Sequence, residues 1–152
     1  MRKEIEHKFL VRPALLPRPL PRGKKLRQGF LAVRPVVRVR IATAGRVSAA
    51  FLTIKGAGLR ERDEFEYAIP VADARRLLKL CGARTLTKTR RLLGRWEVDQ
   101  FLGRHRGLWL AEYELPSSRA RLPRLPEWLG KEVTGDHRFS NAYLAVASHI
   151  PS

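Results

Sequence analysis

The stretch EIEHK at residues 4–8 sets Glu4, Glu6 and Lys8 at alternate positions. In an extended chain alternate side chains share one face, so all three point the same way. The spacing returns in six further segments: Arg38 and Arg40 in VVRVRI, Thr53 and Lys55 in LTIKG, Glu64 and Glu66 in EFEY, Lys88 and Arg90 in LTKTRRL, Glu97 and Asp99 in WEVDQF, and Glu112 and Glu114 in LAEYELP. Eight of the 14 acids fall into four such pairs, which is far from the mixture of Ser, Thr, Gln and Lys expected on a face that merely meets water. Like charges two apart on one face repel, so each pair needs a counter-charge.

Eight segments alternate in this way or are rich in β-branched residues, and each is closed by Gly, Pro or a charged turn; they lie at about 2–11, 25–33, 36–43, 47–55, 60–69, 84–93, 95–102 and 107–115. LVRPALLPRPLPRG, between the first two, has four prolines that cannot donate to a ladder, and it reads as an extended connector. In PVADARRLLKLCG, Val71, Ala74, Leu77, Leu78 and Cys81 recur at helical spacing, with Asp73 near the start and Gly82 after the end. HRFSNAYLAVASHI suggests a terminal helix through Ala142, Leu144, Ala145 and Ile150. The 152 residues fit one folding unit, and no internal repeat is present.

An antiparallel sheet with one apolar and one densely charged face can leave the charges in solvent, or close on itself and wrap them around a lumen, which also removes its edges. Recurrence over seven strands argues for a shared, functional face. Paired carboxylates suit a divalent cation and paired Arg or Lys suit phosphate, so together they describe a site for a metal-bound polyphosphate. The net charge of +17 also draws the chain to polyanions. A single Cys81 excludes an internal disulfide, and no early apolar run suggests a signal peptide or membrane span, which points to a reducing, cytoplasmic setting. The histidines His7, His105, His137 and His149 lack metal spacing. KGAG at 55–58 has its Lys before the glycines and is a turn, not a phosphate loop. Trp96, Trp109 and Trp128 read as packing anchors, and Cys81 as a small core residue.

Taken in order, E-x-E-x-K at 4–8, QGF at 28–30, RVRI at 38–41, LTIKG at 52–56, RDEFEY at 62–67, KTR at 88–90, WEVDQF at 96–101, LAEYEL at 110–115 and WLGKEVTGDHRFSN at 128–141 resemble the CYTH domain family, the triphosphate tunnel metalloenzymes, nearly end to end. The resemblance implies an α+β fold: an eight-stranded antiparallel closed β-barrel with a polar tunnel, short flanking helices and a C-terminal helix. It also implies a triphosphatase using Mg²⁺ or Mn²⁺. Carried onto this chain, the metal ligands are Glu4 and Glu6, with Glu112 and Glu114 across the barrel. Lys8, Arg38, Arg40, Lys55, Lys88 and Arg90 grip the phosphates. Glu4, Glu6, Lys8 and Lys55 form the expected catalytic set. Glu64, Glu66, Glu97 and Asp99 hold the basic residues in place or reach a second metal. Phe30 stands where many relatives carry a tyrosine, so a hydroxyl role there does not carry over.

The leading expectation is hydrolysis of inorganic tripolyphosphate to pyrophosphate and phosphate, since no motif addresses a base or ribose. A nucleoside or thiamine triphosphatase and an adenylate cyclase share the same site chemistry. A nonenzymatic polyphosphate or nucleic-acid binder would keep the bases but has no need of four acid pairs. Subtracting the eight paired acids and six phosphate-gripping bases from the totals leaves 6 acids and 25 bases. That excess serves either general solubility or a second polyanion-binding surface.

Overall fold

The computed structural model describes the backbone of residues 2–57 and 61–152, with side chains from Ile5 onward. The Glu4 side chain, Gly58 of KGAG and position 60 of the expected fifth strand lie outside the described residues. The strands are β1 (Arg2–Val11), β2 (Lys24–Val33), β3 (Val36–Ala44), β4 (Val47–Lys55), β5 (Glu61–Ile69), β6 (Thr85–Leu93), β7 (Trp96–Phe101), β8 (Trp109–Glu114) and β9 (Leu129–Glu132). The first eight fall within two residues of the segments that alternation marks. The helices are α1 (Val71–Cys81) and the short α2 (Asn141–Val146).

Neighbouring strands run in the order β5-β4-β3-β2-β6-β7-β8-β1, and β1 pairs back onto β5, so the sheet closes into an eight-stranded antiparallel barrel. Two of its hairpins turn through Gly-Arg pairs in which Gly45 and Gly94 hold φ of 61° and 62°. A side chain at either place would meet the left-handed penalty. One edge of β1 runs along β8. Its other edge pairs with β5 through residues 2–5 and then with β9 at Phe9 and Val11. The ninth strand, unmarked in the sequence, therefore takes over where β5 leaves off.

Three apolar clusters build on this frame. Val39 and Ile41 of β3 and Ala50 of β4 pack outside the barrel against Ala74, Leu78 and Cys81 of α1. On the opposite wall Trp96 gathers Phe9, Tyr113 and Trp128, with ring centroids 5.7, 4.8 and 5.8 Å away. The proline connector closes over this cluster with Leu16, which is buried. The third cluster lies inside one end of the barrel, where Phe30, Leu86, Phe101 and Leu110 meet Phe139, Leu144 and Ala145. The outward face is not apolar everywhere: on β5, Phe65 and Tyr67 are 37% and 55% exposed. The reason is the placement of α1, which packs chiefly over β2, β3 and β4.

Gly29 sits where α1 comes closest to the barrel. A Cβ there would stand 2.8 Å from Cys81 Sγ and 2.9 Å from Cys81 Cβ. Gly29→Ala is expected to lower unfolding stability by about 1–3 kcal/mol, and Cys81→Ala in the same chain to restore part of the loss. A urea-melt double-mutant cycle measures this; strictly additive effects would show that the contact does not carry the strain.

Candidate active site

The strand register turns the charged rows inward. Lys8, Glu112 and Glu6 share a wall, with Lys8 opposite Glu112 and Glu6 opposite Glu114. Glu97 faces Glu112, Arg90 faces Asp99, and Lys55 faces Glu64. These rows bound a cavity of about 580 Å³, whose walls include Glu6, Lys8, Arg38, Arg40, Lys55 and Arg90, and the acids Glu64, Glu66, Glu97, Glu112 and Glu114. Further along the same rows the inward positions become apolar, and the internal cluster beneath α2 fills that end of the lumen. Phe30, buried, belongs to both that cluster and the cavity wall.

Two expectations change. Glu112 and Glu114 do not face β1 from across the lumen, because β8 is the hydrogen-bonded neighbour of β1 and sets Glu114 directly beside Glu6. Lys88 and Asp99 do not line the cavity; both are fully buried behind its wall, and their side chains pair with each other. Lys88 Nζ also donates to Asn141 Oδ1 at 2.9 Å, which ties α2 to the barrel.

Other wall residues were not singled out in the sequence. Arg62 lies two before Glu64 on the same inward row, so ERDEFEY already carried the signal. Arg34, on the β2–β3 turn, and Asn141 and Tyr143, on α2, also line the cavity. No alternation marks a turn or a helix in this way. Among the histidines, His137 lines the cavity, His7 Nδ1 lies 2.6 Å from Glu132, and His105 is buried with Nε2 2.6 Å from Leu144 O.

Hydrogen bonds orient the bases. Arg90 is held on three nitrogens: Nε donates to Asp99 Oδ1 at 2.7 Å, Nη2 to Oδ2 at 2.9 Å, and Nη1 to Glu97 Oε2 at 3.0 Å. Arg40 Nε donates to Gln28 Oε1 at 2.8 Å. Arg38 Nη2 donates to Thr53 Oγ1 at 3.1 Å, and that hydroxyl donates onward to Glu66 at 3.0 Å. Lys8 Nζ donates to Phe139 O at 3.1 Å and lies 3.4 Å from Glu112.

The proton affinities follow from burial and from these neighbours. Burial, then the nearby guanidiniums of Arg38 and Arg90, push Arg40 well below the usual arginine value. Burial likewise lowers Lys88, to about 7, against the attraction of Asp99. Burial opposes ionisation of Asp99 and Glu112 too, but the surrounding cations overcome it: Arg90 and Lys88 hold Asp99 low, and Lys8, Arg90 and Lys88 hold Glu112 low. Glu97 goes the other way, raised by its burial and by Glu112 and Asp99 despite Arg90.

The cross-strand neighbours that set acid beside acid lie in one sector. Glu97 beside Glu112 and Glu6 beside Glu114 bring four carboxylates onto β7, β8 and β1. Glu6 also lies near enough to Glu112 to influence it, so the carboxylates of this sector crowd one another. Hard oxygen donors converging on shared positive charge suit a divalent cation. Among the described residues no three acidic, imidazole or thiol groups form a complete metal centre. A small hard cation completes its shell with water and phosphate oxygens and takes one or two carboxylates from the protein, so the donor set fits. In the opposite sector Arg38 and Arg40 stand beside the neutral Thr53 and Gln28, which suits an anion.

No protein-family model matches the chain. An inorganic triphosphatase of Acetivibrio thermocellus is 39% identical over 150 residues, spanning 95% of this chain and 94% of that one. A second, from Nitrosomonas europaea, is 34% identical over 151 residues, spanning 95% and 97%. The crystal structure of an inorganic triphosphatase superimposes with a TM-score of 0.66 at 32% identity, covering 98% of each chain. A Pyrococcus horikoshii protein at 20% identity and a TM-score of 0.55, covering 76% of this chain and 80% of that one, shares the fold. Aligned with such relatives along nearly its whole length, and closed into the same barrel around charged rows, the chain belongs with these inorganic triphosphatases to the CYTH, or triphosphate tunnel, family.

Proposed function

We propose that the chain hydrolyses inorganic tripolyphosphate to pyrophosphate and phosphate inside its barrel, with Mg²⁺ or Mn²⁺, in a reducing cytoplasm in keeping with the lone buried Cys81. The observation that carries the reading is the division of one cavity into an acid sector on β7, β8 and β1 and a base sector on β3, joined by Lys8, Lys55 and Arg90. A metal–triphosphate complex has the matching two ends.

In this reading Glu6 and Glu114, with Glu4 and Glu112, hold the cation, which when bound withdraws charge from the phosphate oxygens it touches. Arg38 and Arg40 clamp one end of the phosphate chain with planar forks, while Lys8 and Lys55 add point charges. Glu64 and Glu66 steady Lys55 and Arg38, from 3.9 and 3.8 Å respectively. Asp99 and Glu97 fix Arg90 so that it cannot follow the substrate. The bases are thus oriented before the substrate arrives, and charge moving onto the leaving phosphate meets donors that need no rearrangement. Lys88, behind the wall, holds Asp99 and α2 in place and does not touch phosphate.

Glu6→Gln is expected to reduce kcat by at least about a hundredfold while leaving the melt cooperative. EDTA should abolish wild-type phosphate release, and Mg²⁺ or Mn²⁺ should restore it. A panel of tripolyphosphate, ATP, thiamine triphosphate and long-chain polyphosphate identifies the substrate. Faster turnover of an organic triphosphate, or release of pyrophosphate without phosphate, would replace the proposal with one of its relatives.

Lys88→Met tests the division of labour. Its KM should stay within about threefold of wild type, whereas Arg40→Ala raises KM by more than about tenfold, as expected for losing a charged hydrogen bond to phosphate. The folded Lys88 loses its proton near 7, while the unfolded chain keeps one up to about 10.4. Between those values the unfolded state binds more protons, so this residue makes stability rise with pH. Urea melts from pH 7 to 10 should show a steeper rise in the wild type than in Lys88→Met; equal slopes would mean that Lys88 stays charged when buried.

A further inference from the structure

The charged lumen leaves most of the basic residues outside it. On β2 the outward positions alternate with Leu26 and Gln28, and they carry Lys25 and Arg27, both exposed. On the neighbouring β6 the outward positions are Thr85, Thr87, Thr89 and Arg91. The register sets Arg27 beside Thr87 and Lys25 beside Thr89, so bases and hydroxyls alternate across two strands. No carboxylate occupies an outward position on β2, β3, β6 or β7. Arg84, exposed, enters β6 at one end of this stripe, and Arg76 and Lys79 are exposed on α1 alongside it. Among the described residues none of Lys25, Arg27, Arg84 and Arg91 has a carboxylate partner. Arg91 instead donates to Gln100 at 2.9 Å and lies over the Trp109 ring.

Such a face contrasts with the lumen, where bases are held by acids. Lys25 and Arg27, two residues apart and so about 6.6–7 Å along the strand, repel each other with no carboxylate partner to offset it. Hydroxyls between the cations add neutral donors of the kind that bind phosphate oxygens. The face offers no free aromatic platform on which bases could stack, since Trp109 is half-buried beneath Arg91. We infer that the outer β2–β6 face, centred on Lys25, Arg27 and Arg91, binds long-chain inorganic polyphosphate at a site separate from the lumen. The occupant is set by charge complementarity: a linear phosphate chain supplies a charge at every unit and has no sugar or base to accommodate.

The test is fluorescence anisotropy with end-labelled long-chain polyphosphate at physiological salt. EDTA prevents turnover, and excess unlabelled tripolyphosphate fills the lumen. Lys25→Glu/Arg27→Glu should weaken binding by at least about tenfold and reduce the log–log salt slope by about two, one for each lost phosphate contact. Arg119→Glu/Arg121→Glu makes the same change in charge on another exposed segment and should alter affinity by less than about threefold. Both variants should turn over tripolyphosphate at the wild-type kcat. Three outcomes would overturn the assignment: no wild-type binding, equal weakening in the two variants, or equally tight and equally Lys25/Arg27-dependent binding of RNA or duplex DNA at matched phosphate content. The second would mark a net-charge effect and the third a nucleic-acid surface.

Discussion

Everything in this barrel depends on where like charges are allowed to meet. On most strands alternation puts acids with acids or bases with bases, so neutralisation has to come chiefly from the neighbouring strand. Register supplies it at Lys8 with Glu112, Arg90 with Asp99, and Lys55 with Glu64. It withholds it at Glu6 with Glu114 and Glu97 with Glu112, and around Arg40, which burial and two neighbouring guanidiniums push down together. The unbalanced places are the ones a cation and a phosphate chain would balance. A slip of one residue in β8 would turn its charged row outward and bring Tyr113 and Ala111 into the lumen, so register and site are one constraint.

The rest of the architecture protects that register. Closure leaves no edge along which β1 could slide, and β9 completes the part of β1 that β5 does not reach. At the closed end, α2 is held from several directions: Lys88 bonds Asn141, the Ser140 hydroxyl caps its first turn, and Arg104 donates to the carbonyls of Leu144, Ala145 and Ala147. A short helix with little stability of its own is thereby made a fixed wall. The apolar cluster beneath it fills that end of the lumen, and a low-dielectric wall of this kind strengthens the charge interactions next to it.

Alternation alone located eight strands because a barrel with opposite faces of opposite polarity writes period two into every strand. It also selected the residues that now ring the cavity, with Arg62 as an omission that the same rule could have caught. What it could not supply was long-range pairing. That β8 adjoins β1, so that Glu114 sits beside Glu6, depends on the order of strands around the barrel. So does the burial of Lys88: its row looks like that of Arg90, yet the lumen is filled at its level by Phe101 and Leu110. β9 escaped because four residues, LGKE, are too few to show a period. Arg34 and Tyr143 reach the cavity from a turn and a helix, where no alternation applies. The exposed Phe65 and Tyr67 show the converse, an apolar row that no helix covers.

If the lumen is balanced only by its ligands, the empty barrel should be strained at its bases and relaxed by filling. The most direct measurement is a thermal melt of wild type and Arg40→Gln, each with and without tripolyphosphate and Mg²⁺. The glutamine removes the cation crowded by Arg38 and Arg90 and keeps a polar group beside Gln28. The account predicts that Arg40→Gln melts higher than wild type when empty and gains less on adding ligand, so that the two curves converge or cross. A variant that melts lower than wild type when empty and gains as much from ligand would contradict it, because Arg40 would then be a structural residue in a barrel already at electrostatic balance.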